Sequence, residues 1–266
     1  MLLLGASLLS AQTLKVVSYN IRLGVANDKE NSWQFRKEAT PAMINEIKPD
    51  IMGLQEAYDF QEQYIQDNAR SYKLVSVARD DGKEKGERMS IVWNDDTVEL
   101  LDWGTFWLSE TPDEPSLGWD AACRRTATWA FMKLRKSGKR FFYVNTHLDH
   151  IGVEARRNGL ALVEKKIADM NPENLPMVLT GDFNIRRDNP TIVEFNERMN
   201  NARECAAKTD SKASYNGWGK SDTDNIIDYI YFKGFRKCLS FQTLDQSFAG
   251  KPYISDHYPV CAVLKF

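Results

Sequence analysis

The segment Met177-Val-Leu-Thr-Gly-Asp-Phe-Asn184 has residue types and spacing suited to chemistry. A short apolar run reads as a buried strand that opens at Gly181 into Asp182 and Asn184. A carboxylate and an amide two residues apart at a strand end point the same way. Such a pair can hold a divalent metal and its water, or orient a phosphoryl oxygen. Gly-Asp-x-Asn also makes an ordinary Asx turn, so the chemical reading needs support from elsewhere in the chain. One support is Ser255-Asp256-His257, just before the strand-like Val260 to Phe266. Another is Asn225-Ile-Ile-Asp228-Tyr-Ile-Tyr-Phe232, which puts one carboxylate inside an otherwise apolar strand. An unpaired buried carboxylate is costly, so Asp228 needs a partner, and an imidazole is the natural one. The chain has three histidines, His147, His150 and His257. The first two end the strand-like Phe141 to Val144 in Asn145-Thr-His147-Leu-Asp149-His150.

Two further strand ends carry Asn20 (Val16-Val-Ser-Tyr-Asn20) and Gln55-Glu56 (Asp50-Ile-Met-Gly-Leu-Gln55-Glu56). In α/β proteins the edge of the sheet where such strands end is where ligands usually bind. The ordered set Ser18-Tyr-Asn20, Leu54-Gln-Glu56, Asn145-Thr-His147, Gly181-Asp-Phe-Asn184, Ile227-Asp-Tyr229 and Ser255-Asp-His257 resembles the endonuclease/exonuclease/phosphatase superfamily, from about Leu14 to Phe266. The segments Phe106 to Pro112 and Gly118 to Arg125 resemble a bacterial subgroup near its deadenylase-like branch.

The resemblance implies an α/β (α+β) fold of the DNase I type, a four-layer sandwich of two mixed β-sheets packed face to face and flanked by helices. Each half of the chain would supply one sheet. It implies Mg²⁺ or Mn²⁺ held by Glu56, with the Asn20 amide beside it and Asp256 as the second acidic group. His257 and Asp228 would form a dyad at the scissile phosphate, with His257 as base or charged clamp. Asp182 would orient or deprotonate the attacking water, Asn184 would donate to a non-bridging oxygen, and His147 would clamp the phosphate from the other side. Glu87 would support His147; as a bare residue it reads equally well as a loop charge. His150 matches no family residue. The activity implied is hydrolysis of a phosphodiester or phosphomonoester by in-line water attack. A phosphatase or phospholipase-type action on an inositol or sugar phosphate or a lipid head group is the alternative. A catalytically silent binding module would lack one of Glu56, Asp182, Asp256 or His257, and all are present.

Composition narrows the partners. A net charge of −2 and a pI near 6.0 do not suit a protein gripping long duplex nucleic acid, which usually shows a basic face. A phosphorylated small molecule or a short single strand fits better. Loops 79–87, 109–124 and 211–224 should decide the substrate, with Arg124, Trp119 and Trp218 as candidate contacts, although core packing is the commoner use of such Trp rings. A monomer is expected.

The elements that must position these groups alternate early: strand 14–20, helix 33–47, strand 50–55 and helix 59–69. Strands follow at 72–77, 88–94, 97–108, 125–134 and 140–146, then a long helix at 153–170. Strand 176–180, a helix at 190–199 and strands 226–232, 236–244 and 258–265 complete the chain. No internal linker or repeat divides it, so residues 13–266 read as one domain. Residues 1–12 read as the remnant of a secretory signal without its basic start. On that reading the protein is exported, periplasmic or extracellular; otherwise it is cytoplasmic. Cys123, Cys205, Cys238 and Cys261 lack metal-type spacing and read as mostly buried thiols, with one disulfide open to them after export.

Overall fold

In β1 (Thr13–Asn20), Leu14 and Val16 enter one apolar core while Val17 and Tyr19 enter another, as the two-residue period of a strand dictates. This strand belongs to a computed structural model that describes residues 12–266; the signal expected at 1–12 lies, but for Gln12, outside the described residues. The remaining strands are β2 (Ile51–Ala57), β3 (Tyr72–Val75), β4 (Arg88–Asn94), β5 (Val98–Trp107), β6 (Thr126–Leu134) and β7 (Arg140–His147). They continue with β8 (Met177–Asp182), β9 (Asn200–Asn201), β10 (Asp228–Lys233), β11 (Lys237–Thr243) and β12 (Val260–Lys265). They form two six-stranded mixed sheets, ordered β11-β12-β1-β2-β4-β3 and β5-β6-β7-β8-β10-β9.

Leu14, Val16, Ile51, Ile91, Phe141, Tyr143, Val178 and Ile230 fill the space between the sheets. Val17, Tyr19 and Leu54 pack outward against Met43 and Ile44 of α2 (Ala39–Ile47) and Ile65 of α3 (Asp59–Asn68). On the other side Phe142, Val144 and Leu179 meet α4 (Val153–Met170) at Leu160 and Val163, and α5 (Pro190–Arg198) at Ile192 and Phe195. Helix, sheet, sheet, helix is the four-layer arrangement the sequence suggested.

The chain does not divide by halves. β12 returns from the C-terminus to pair antiparallel with β1, Ser18 opposite Val260, and completes the first sheet. That return matters for the site. It sets the residues just before β12 beside the end of β1, where Ser255 Oγ donates to the Asn20 carbonyl at 2.7 Å. The expected helix over 33–47 is broken into α1 (Trp33–Arg36) and α2. Pro41 explains the break, since its ring clashes with the carbonyl four residues back, at Lys37. The short β9 and the turn of helix after it, α6 (Ala202–Cys205), carry no signal that the sequence reading caught. The four thiols are free; Cys238 and Cys261 are buried, whereas Cys205 is exposed. Among the described residues no helix is long and apolar enough to cross a membrane.

Candidate active site

Along the face between the sheets each central strand changes character toward one end. β1 runs Leu14, Val16, Ser18, Asn20; β7 runs Phe141, Tyr143, Asn145, His147; β8 runs Val178, Thr180, Asp182. Parallel pairing of β7 with β8 sets His147 opposite Asp182, and antiparallel pairing of β8 with β10 sets Asp182 opposite Asp228. Parallel pairing of β1 with β2 sets Asn20 opposite Gln55. Register alone therefore gathers residues far apart in sequence at one end of the sandwich.

A buried polar layer underlies them. Gln55 Nε2 donates to Asn145 Oδ1 at 2.7 Å, and Asn145 Nδ2 donates to the carbonyls of Leu54 at 2.7 Å and Ser90 at 3.0 Å. Gly53 makes room for it: a Cβ there would lie 2.4 Å from both Asn145 Oδ1 and Thr180 Oγ1. Glu56 has the wrong parity to face inward from a regular β2. A register shift after Leu54 and a left-handed backbone at Glu56, φ 61°, bring it to the site. There Asn20 Nδ2 donates to Glu56 Oε1 at 2.9 Å and to Asp182 Oδ2 at 3.0 Å, and the Leu23 amide donates to Glu56 Oε2 at 2.9 Å.

Asp182 is fully buried; burial first, then the nearby Asp228 charge, lifts its carboxyl to about 7, against the pull of His257 and two hydrogen bonds. His257 Nδ1 lies 2.8 Å from Asp228 Oδ2, so the partner that Asp228 requires is His257. Burial works against the charged imidazole, but Asp228, Asp182 and Asp256 outweigh it and push His257 up to about 10. Its other nitrogen, Nε2, stands 3.7 Å from Asp182 Oδ2. The Tyr215 ring packs edge-on against the imidazole at 5.0 Å. His147 behaves oppositely: burial, then Arg125 and Arg79, drive it well below the ordinary histidine value and keep it neutral. Its Nε2 meets Asn184 Nδ2 at 2.9 Å and Asp182 Oδ2 at 3.4 Å, while its Nδ1 has no partner.

These groups open into a cavity of about 560 Å³ whose wall includes Glu56, Glu87, His147, Asp182, Asn184, Asp256 and His257. Asp228 stands behind His257, and Asn20 beneath Glu56 and Asp182. Three details differ from expectation. Glu87 does not hold His147; the hairpin loop folds Arg79 onto it, and Arg79 Nη1 donates to Glu87 Oε2 at 2.6 Å. Asn184 already donates to His147 and to the Leu148 carbonyl, so a phosphoryl oxygen would have to displace one of these. Asn20 Oδ1 accepts the Arg22 amide at 2.9 Å, which leaves it one lone pair, and its Nδ2 brackets the two carboxylates.

Arg124, Trp119 and Trp218 do not line the cavity. Strand parity run backward from β6 would turn Arg124 inward. The chain leaves strand geometry before Thr126, however, and Arg125 takes the wall position. Trp218 lies over the guanidinium of the buried Arg36, 5.6 Å from its centroid, and so packs onto the fold. Sequence reasoning missed Arg22, Arg79, His150 and Tyr215, all on the wall. Arg79 and Tyr215 had a signal, since they fall within the segments expected to decide substrate; Arg22 and His150 lie outside those segments.

Each wall arginine has its own carboxylate: Arg22 with Asp28 at 3.0 Å, Arg79 with Glu87 at 2.6 Å, Arg125 with Asp149 at 3.5 Å and Arg186 with Asp224 at 2.6 Å. Glu56 and Asp256 lack such cover. Burial raises the Asp256 carboxyl and the Glu56 charge adds to this, while its contact to Arg22 is long, 3.7 Å. A pair of under-compensated carboxylates suits a hard divalent cation. Cys123, Asp149 and His150 also come together, but Asp149 accepts the amides of Ile151, Gly152 and Ala122 and faces Arg125, which suits a loop anchor better than a metal ligand.

Residues 17–257 match the model of the Endonuclease/Exonuclease/phosphatase family, and the chain belongs to that family, one of hydrolytic phosphoesterases. Among solved structures, an endonuclease/exonuclease/phosphatase family protein from Bacteroides thetaiotaomicron is 32% identical, with a TM-score of 0.91 over 96% of this chain and 98% of that one. A mannosyl-6-phosphatase from the same organism is 32% identical, with a TM-score of 0.89 over 95% of this chain and all (100%) of that one. The human Nocturnin catalytic domain shares the fold at 17% identity, with a TM-score of 0.73 over 95% and 94% of the two chains.

Proposed function

We propose that this protein is a divalent-metal-assisted phosphomonoesterase acting on a phosphorylated sugar. The observation that carries the reading is a cavity of about 560 Å³ over Asp182, His257 and Asp228 in which every wall arginine is already paired. That volume suits a small ligand, and the neutralised arginines leave little to hold a run of phosphates. The likeness to the mannosyl-6-phosphatase supports the same substrate class.

On this reading Glu56 and Asp256 hold Mg²⁺ or Mn²⁺, which when bound neutralises charge on the phosphoryl group and stabilises the leaving oxygen. Asp182, kept in place by Asn20 and the Asn184 amide, takes a proton from the attacking water. His257, held as a cation by Asp228, faces the phosphoryl oxygens and offsets their growing charge. The water oxygen bonds to phosphorus as the phosphorus–oxygen bond to the sugar breaks. The departing oxygen takes a proton from solvent while Asp182 later gives its own back to solvent, and the sugar hydroxyl and inorganic phosphate leave.

The test is a panel with Mg²⁺ present: hexose phosphates, mononucleotides, bis-p-nitrophenyl phosphate, short RNA and DNA. Hexose phosphates should give the highest kcat/KM, excess chelator should abolish turnover, and Glu56→Ala should lower it by about 10² or more, as for loss of a transition-state contact. A preference for RNA or DNA would replace the phosphatase reading with a nuclease one.

A further inference from the structure

The wall beside His147 contains polar groups that the proposed chemistry does not use. Arg125 is 5% exposed; its Nη2 donates to His150 Nδ1 at 3.0 Å, its Nε faces Asp149, and its Nη1 has no partner. Arg79 gives Nη1 to Glu87 Oε2 and leaves Nε without one. Glu87 accepts through Oε2, and its Oε1 takes no hydrogen bond among the described residues. Buried donors are almost always satisfied, and these two are shielded from solvent although their residues line the cavity, so a small turn of either side chain toward a bound ligand would give it the missing partner.

The charge balance selects the kind of partner. Arg79 is cancelled by Glu87 and Arg125 by Asp149, so a second anion would gain little from the guanidiniums and would be repelled by the carboxylates. A hydroxyl both donates and accepts, and adjacent hydroxyls can satisfy an arginine donor and a carboxylate oxygen together. We infer that Arg125, Glu87, Arg79 and His150 form a subsite that reads adjacent hydroxyls on the sugar carrying the phosphate. Glu87 thereby acts in choosing the substrate. This inference rests on the phosphatase reading.

The experiment measures kcat/KM for the best hexose phosphate and for its deoxy analogues, each lacking one hydroxyl, with wild type, Arg125→Lys and Glu87→Gln. Arg125→Lys keeps a cation against Asp149, Glu87→Gln keeps the side-chain shape, and melting temperatures check that both variants fold. Wild type should disfavour at least one deoxy analogue by about 10- to 100-fold, the range for losing a hydrogen bond to a charged group. In each variant that discrimination should shrink to within about threefold, mainly through KM, as for lost ground-state binding. The inference is overturned if wild type ignores the missing hydroxyls, or if both variants retain the discrimination. A wild-type preference for a sugar bisphosphate that Arg125→Lys abolishes would also overturn it, making the wall an anion site. Failure of wild type to cleave any sugar phosphate would instead overturn the phosphatase reading, and the subsite with it.

Discussion

Asp182 is held from several sides: by Asn20 Nδ2 at 3.0 Å, by the Asn184 amide at 2.9 Å, and by imidazoles at 3.4 Å and 3.7 Å. The two imidazoles differ in charge for a reason visible in their neighbours. Burial opposes charge on both; around His257 the carboxylates outweigh it and favour the cation, whereas around His147 Arg125 and Arg79 add to it and favour the neutral ring. His257 and Asp228 meet at 2.8 Å with both side chains buried, so removing either leaves the other without its counterpart. His257→Ala and Asp228→Asn should each lower kcat by about 10² to 10⁴, and the double variant should be little worse than the poorer single one, because residues acting as a unit are non-additive. Multiplicative losses in the same assay would show that the two act separately. The need of Asp228 for a partner was legible in the sequence, because a lone carboxylate in an apolar strand demands one. The capture of Glu87 by Arg79 was not, since a loop conformation decides it.

At the scale of elements, strand register does most of the positioning, and the sequence showed it well: the polar motifs lie at strand ends, where register brings them level. What it did not show was which strands share a sheet. The return of β12 to β1 depends on long-range pairing with no local signature, yet it sets Asp256 and His257 beside Asn20. Arg124 was expected from its place in the loop 109–124, and loop position alone does not say which of two adjacent arginines faces the cavity; Arg125 does. Gly53 tests the close approach of the sheets. Gly53→Ala should destabilise the protein by about 1–3 kcal/mol, the usual cost of overpacking a core. It should also disturb Asn145 and with it the site, so activity should fall at temperatures where the variant is still folded. A melting curve and a rate measured together check this, and full activity with an unchanged melting temperature would show that the layer yields easily.

Over the whole molecule, a net charge of −2 agrees with a cavity whose arginines are all neutralised by neighbours. Catalysis should therefore respond weakly to salt. A substrate engaged through one or two phosphates should give a slope of about −1 to −2 in a plot of log kcat/KM against log salt, by the counterion argument. A slope many units steeper, at fixed free metal, would mean an extended nucleic-acid footprint reaching beyond the cavity. On the proposed reading, phosphate is released from a sugar phosphate at Asp182. The most direct test of that reading is inorganic phosphate release from a hexose phosphate with Mg²⁺ by wild type and by Asp182→Asn, whose melting temperatures are compared first. The expected result is steady release by wild type and a loss of about 10² to 10⁴ in the folded variant, the range for removing a general base. Release by Asp182→Asn at the wild-type rate, or none by wild type, would contradict the account.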